Sequence, residues 1–293
     1  MKAGGWLTAF LLLALSTLPA QARDAAEALR ARHQQLRAQL ADNPFQRPLH
    51  LQSKQSAERL QGDIYAVLDQ PYALVGPALQ GGEHWCDILI LHLNVKRCLA
   101  SADKRGELLR IHIGRKFEQP LEDAHLFEFA YRVAASSPDY LQVQLNAEEG
   151  PLGTSRYRID LQAVALDDQR SFLHLSYSYA YGLSASLAMR GYLVSLGRDK
   201  RGFSILGQDR RGQPIYIGGM RGVVERNTMR YYLAVEAYLS ALSAPPAERV
   251  EKRLAHWQNA VERYPQLHEL EPEQYLRMKR KEIRRQQSAS AAN

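Results

Sequence analysis

The chain has 293 residues, with 38 Lys and Arg against 31 Asp and Glu, for a formal charge of +7. That length suffices for one large core or for a domain with appendages. The modest basic excess reads as solubility or as attraction to an anionic lipid surface, and in a chain that begins as this one does it does not point to nucleic acid.

Residues 1–22 read as a signal peptide rather than as fold. Lys2 supplies the positive start, Trp6–Leu18 is a short apolar run, and Ala20-Gln21-Ala22 is a small-residue cleavage signature before Arg23. The run is well short of the roughly 20 apolar residues a membrane-spanning helix needs. The expectation is export, cleavage near Ala22, and a periplasmic or secreted protein. Only Cys86 and Cys98 are present. In an exported chain they read as one disulfide closing a short loop, which stabilises by roughly 2–4 kcal/mol. The alternative is a thiol nucleophile or a metal ligand, but no Cys–His spacing of metal-site type accompanies them.

An N-terminal arm is expected over 23–59. Within it Asp24–Leu40 reads as a polar helix with Leu29, Leu36 and Leu40 on one side, broken at Asn43-Pro44. Leu60–Leu68 alternates as a first strand. Pro71–Leu91, with Pro71, Pro77 and Gly81-Gly82, predicts two short helical pieces; a strand starting near Ile88 is the other reading. Trp85, Ile88, Leu89 and His92 would share one helical face.

From Leu93 to Tyr181 the hydrophobic period is two. Leu93–Ala100 and Glu107–Phe117 flank a turn at 101–106. Leu126–Ala135 and Tyr140–Ala147 flank Ser136–Asp139, and Arg156–Leu166 and Arg170–Tyr181 flank Asp167-Asp168. With the first strand this gives seven antiparallel strands. Tyr157, Ile159 and Leu161 form one apolar row, and Phe127, Phe129, Tyr131 and Val133 another; such a face must be buried against something.

Leu183–Leu196 predicts a helix, and a basic, glycine-rich stretch follows, in which Phe203–Leu206 and Pro214–Ile217 can pair as a small hairpin. Arg221–Leu242 is the longest amphipathic candidate. Val224, Thr228, Tyr231, Val235, Tyr238 and Leu242 recur at helical spacing, while Arg226, Arg230 and Glu236 fall off the stripe. Beyond Pro245-Pro246, the segment 246–293 reads as a basic helical tail. The fold class is α+β: a seven-stranded antiparallel sheet gripping a long C-terminal helix, with extra helices at both ends.

This order of elements, with the segments GDIYAVLDQPYALV and RGVVERNTMRYYL, resembles the START-like (SRPBCC) helix-grip superfamily, which includes lipid carriers and polyketide cyclases. The resemblance covers about Leu60–Leu242 and carries no diagnostic catalytic motif. It implies a domain over 60–245 with a cavity between helix and sheet, and a hydrophobic ligand. The stretch 183–220 departs from the pattern as an insertion, and the tail is a further addition.

Phe172–Tyr181 offers two faces for such a cavity. Tyr177, Tyr179 and Tyr181 share one, and His174, Ser176 and Ser178 the other; either can look inward, and cross-strand tyrosines also stabilise sheets without any ligand. Arg226 and Arg230, one turn apart, suit a carboxylate or phosphate head group; the plainer alternative is a salt bridge to Glu225 or the sheet. The candidate ligand-binding set is Trp85, His174, Tyr177, Tyr179, Arg226, Arg230, Tyr231 and Tyr238. His84 and His92, with Asp87 between them, do not match an H-E-x-x-H metal helix. There is no G-x-S-x-G elbow, P-loop or dinucleotide fingerprint, and no cofactor or metal is implied. The reading is an exported binder or carrier of a hydrophobic molecule, lipid or polyketide-like. Its rivals are a cyclase or hydrolase using His174, Ser176 or Tyr177, and an envelope scaffold whose basic tail meets an anionic membrane.

Overall fold

The computed structural model describes residues 17–104, 106–182, 191 and 200–290. The first sixteen residues of the expected signal peptide lie outside these, as does the helix expected at Leu183–Leu196 apart from Gly191. Among the described residues, no helix is long and apolar enough to cross a membrane.

An antiparallel sheet of eight strands, in the order β1-β2-β8-β7-β6-β5-β4-β3, forms the body. These are β1 Leu49–Gln55, β2 Arg59–Leu68, β3 Val95–Asp103, β4 Gly106–Ile113, β5 His125–Ser137, β6 Tyr140–Glu149, β7 Thr154–Ala165 and β8 Ser171–Tyr181. The count is eight, not seven, because β1 lies in the stretch read as an arm. LHLQSKQ does alternate in burial, but it carries two leucines only, and its order comes from pairing along the whole of β2. Val133 is exposed, because the β5–β6 register shifts between Val133 and Ala135 and breaks the apolar row there.

Two short helices, α3 Tyr72–Ala78 and α4 Gly82–Leu89, follow β2 and exclude a strand at Ile88. The Cys86–Cys98 disulfide ties α4 to β3. Outside the sheet, α1 (Thr17–Gln35) and α2 (Arg37–Ala41) bury Ala26, Leu29, Leu36 and Leu40 with Tyr140, Val164 and Phe172. The N-terminal helix therefore lies on the face of the sheet that the long helix does not use, and it runs unbroken through Ala22.

The long helix α5 (Gly219–Ser240) crosses the inner face and differs from expectation in one respect. It is buried all round, including Glu225, Arg226 and Arg230, which an amphipathic helix would expose. The cause is the C-terminal segment. Helices α6 (Arg249–Glu262) and α7 (Pro272–Ser290) cover its far side, and Leu254, Trp257, Val261 and Tyr275 join the same core as the sheet. What reads as a tail is a wall of the core.

Helix α7 is fixed by buried charge. Lys279 Nζ donates to the carbonyls of His92 (2.8 Å) and Val95 (2.7 Å) and to Glu282 (2.7 Å). Lys96 Nζ donates to Leu93 O (3.1 Å), Phe117 O (3.0 Å) and the other Glu282 oxygen (3.0 Å). Along the same edge, Gln286 Oε1 accepts from Cys98 N–H at 2.8 Å. Lys279 and Gln286 thereby take up open backbone groups of β3, Val95 O and Cys98 N–H, that would otherwise invite another strand. At the opposite edge, Arg221 donates to Ser53 O at 3.0 Å.

Candidate functional site

The seat of α5 on the sheet is set by where the helix touches. It packs on β1, β2 and β8, and Gly62 of β2 makes the closest approach possible: a Cβ there would stand 2.2 Å from Thr228 Oγ1. Across the sheet from this contact the inner face turns aromatic, with Phe127, Phe129 and Tyr157 meeting Tyr177 and Tyr179 of β8. The β2–β8–β7 register decides the orientation left open by the sequence. Tyr177 pairs with Gly62 and Ile159 on the inner face, whereas Ser176 pairs with Asp63 and Asp160 on the outer one. From the helix, Tyr231 reaches Tyr177 with ring centroids 5.1 Å apart, and His92 stacks on its other side at 4.8 Å.

The polar ends of this cluster set it apart. Tyr157 donates to Thr154 Oγ1 at 2.8 Å. Among the described residues, no hydrogen-bond partner meets the hydroxyl of Tyr177, Tyr179 or Tyr231. Burial pushes all three phenols above their ordinary range, keeping them protonated donors. His92 is held neutral, first by burial and then by the nearby charges of Arg230 and Lys279. Its Nδ1 accepts from Asn94 N–H at 3.2 Å, which leaves the proton on Nε2, an atom without a partner among the described residues. The cluster is therefore an apolar aromatic part of the core with several donors and little to receive them.

Of the other sequence-predicted residues, His174 and Ser176 are turned away. His174 Nε2 lies 3.0 Å from Asp63 Oδ1, and its ring stacks on Tyr65 at 4.2 Å, on the outer face. Ser176 serves the same carboxylate. The trio His174, Ser176 and Tyr177 thus straddles the sheet and cannot converge on one substrate. Trp85 is buried, and its Nε1 donates to Leu79 O at 2.9 Å, joining α3 to α4. Tyr238 packs under the Arg253 guanidinium at 4.5 Å and beside His84 at 5.9 Å, on the α6 side. Arg226 donates to Arg201 O at 3.1 Å; Arg230 donates to Leu267 O and Glu269, both at 3.1 Å. Glu225 partners neither arginine: it accepts from Ser53 Oγ (2.6 Å) and the backbone of Phe203 (2.7 Å) and Ser204 (2.9 Å). Both arginines are built into the wall around α5. Phe127, Phe129, Tyr157 and His92 are the members of this aromatic cluster that the candidate set omits, although the first three sit on apolar rows of the sequence.

A concavity lies on another flank of α5, an open cleft of about 1250 Å³ bordered by residues 44–48, Glu236, His256 and Tyr264. Arg47 grips Glu236 and donates to Tyr232 Oη at 2.9 Å. Burial raises the Glu236 pKa, but His256 and Arg47 outweigh it and hold the carboxyl at about 2. Nothing in the sequence pattern joins positions 47 and 236, which meet only once the chain is folded.

No family model matches the chain, and neither does any curated protein. Solved structures that match include the Zhui aromatase/cyclase from Streptomyces sp. R1128, at 12% identity over 45% of this chain and 70% of that one, TM-score 0.33. A norcoclaurine synthase point mutant from Thalictrum flavum matches at 14% over 49% and 93%, TM-score 0.33. A START superfamily protein from Mycobacterium smegmatis matches at 12% over 48% and 93%, TM-score 0.32. At such identities and TM-scores they assign no activity to any residue of this chain. The helix-grip description rests on the strand order and on the placement of α5.

Proposed function

We propose that this protein is exported and binds a hydrophobic molecule, lipid or polyketide-like, in the chamber between the sheet and α5. The observation that carries the reading is the set of phenol donors on Tyr177, Tyr179 and Tyr231, enclosed among aromatic rings and unpartnered among the described residues. A ligand with a carbonyl or hydroxyl at one end would give these donors an acceptor, while its apolar body gains about 25 cal/mol for each Å² buried. Export is supported by the sequence of residues 1–22 and by the Cys86–Cys98 bridge, since disulfides persist in oxidising compartments. The neutral His92 behind Tyr231 keeps that phenol in place and adds no charge to the wall.

The test is to purify the protein from its own host, extract it with solvent and identify the co-purifying molecules by mass spectrometry. The expected result is about one apolar molecule per chain, displaced by an apolar fluorescent probe such as N-phenyl-1-naphthylamine. A delipidated, folded protein that takes up no such probe would refute the chamber.

A further inference from the structure

Outside the main sheet, β9 (Ile205–Gln208) and β10 (Pro214–Tyr216) form a ribbon of their own, inserted between the body and α5. It has two unlike ends. At its base the backbone is locked: Gly202 N–H donates to Ile217 O at 2.7 Å and Ile217 N–H to Ser204 O at 2.8 Å. The buried Glu225 carboxylate binds Phe203 and Ser204 of the incoming strand to the helix. At its tip, Asp209 Oδ1 accepts from the N–H groups of Arg211 (2.8 Å) and Gln213 (2.9 Å), and Gly212 takes φ 74° to close the turn. The ribbon is thus tied at both ends yet uncovered among the described residues. Ile205, Leu206 and Ile215 are 47%, 64% and 43% exposed, and Arg210 and Arg211 stand exposed at the turn beside them.

We propose that this hairpin docks the protein on an anionic lipid surface, the aliphatic side chains entering the acyl boundary and Arg210 and Arg211 meeting the head groups. Three aliphatics next to two cations on one small ribbon match the two components of an interfacial anchor, apolar burial and attraction to negative lipid. The size argues the same way. The ribbon from Ile205 to Tyr216 spans 12 residues, against the roughly 20–30 per side of a stable protein–protein interface, whereas a bilayer needs no complementary shape. The buried clamp at Glu225 keeps the ribbon from folding back. This inference does not depend on what the chamber holds.

The experiment is co-sedimentation of the full mature chain with vesicles of phosphatidylcholine containing phosphatidylglycerol, beside pure phosphatidylcholine. Binding is expected to need phosphatidylglycerol, to weaken with salt, and to fall about tenfold in Ile205→Ser/Leu206→Ser/Ile215→Ser and again in Arg210→Gln/Arg211→Gln. All five side chains are exposed, so the thermal midpoint is expected to stay where it is in both variants. As an independent reading, Leu206→Trp fluorescence is expected to be quenched by brominated lipid. The proposal is overturned if the wild type leaves anionic vesicles unbound, or if both variants bind like the wild type, which would move the contact to the exposed cations of α7. It is equally overturned if pure phosphatidylcholine is bound as well.

Discussion

Two sets of polar groups lie on either side of α5, and they are treated in opposite ways. On the α7 side Lys96, Lys279 and Glu282 share a closed network in which each ammonium has backbone carbonyls and a carboxylate oxygen. On the sheet side, Tyr177, Tyr179 and Tyr231 meet aromatic rings and no acceptor among the described residues. A charge cannot be left unpaired in the interior, because desolvation costs several kcal/mol per ion; a phenol whose hydroxyl keeps accessible surface can. The contrast separates polar groups that hold the fold from polar groups held ready for something else.

The sharpest break is at Glu282. Glu282→Gln keeps the volume but leaves two buried ammoniums without a counter-charge, and a loss of roughly 3–5 kcal/mol is expected. Urea unfolding followed by far-UV circular dichroism measures it. A loss below about 1 kcal/mol would show that the backbone carbonyls alone suffice to hold α7.

Acid probes the same principle around α5. Glu269 accepts from Lys116 (2.5 Å), Lys200 (2.8 Å) and Arg230 (3.1 Å). Burial raises its pKa, but the lysines more than offset this, leaving it at about 2, and Glu236 also sits at about 2. Both folded-state values lie below the ordinary 4.5. The stabilisation is therefore present above about pH 4.5 and is lost as pH falls toward 2, on the order of 2–3 kcal/mol for each carboxylate. Thermal midpoints across that window should drop, and Glu236→Gln should flatten part of the slope.

Gly62 tests the width of the chamber. Gly62→Ala places a Cβ against Thr228 and lifts α5 from β2, at an expected cost of about 1–3 kcal/mol. Uptake of an apolar probe should change together with the melting temperature. Stability that falls with no change in uptake would separate the helix position from binding.

Much of the fold was legible because it rests on local pattern. The period-two rows of 93–181 and the Gly81-Gly82 break are properties of short windows, and they gave the meander and the paired short helices. Strand β1 was not legible, since two leucines in seven residues become a strand only through β2. The burial of Arg226 and Arg230 was hidden for a related reason: their partners, Arg201 O and Leu267 O, are distant in sequence and are backbone atoms, which carry no residue signature. For the site, Tyr177, Tyr179 and Tyr231 could be picked out by type and period. The choice between the faces of β8 could not, because either the tyrosine face or the small-residue face suits a pocket, and only the packing of α5 on one and α1 on the other distinguishes them.

The smallest expected effect is the most informative. Tyr177→Phe and Tyr231→Phe each remove a hydroxyl without a partner among the described residues, so stability should change by no more than about 0.5 kcal/mol, or rise slightly. The same substitution in a satisfied phenol, Tyr275→Phe, takes away a donor to Leu91 O at 2.9 Å and should cost about 1–2 kcal/mol. Affinity for the co-purified molecule should move in reverse order, weakening severalfold for Tyr177→Phe and Tyr231→Phe while Tyr275→Phe leaves it unchanged. Equal stability losses at all three positions would mean that the chamber phenols are structural after all, and the distinction between the two sides of α5 would collapse.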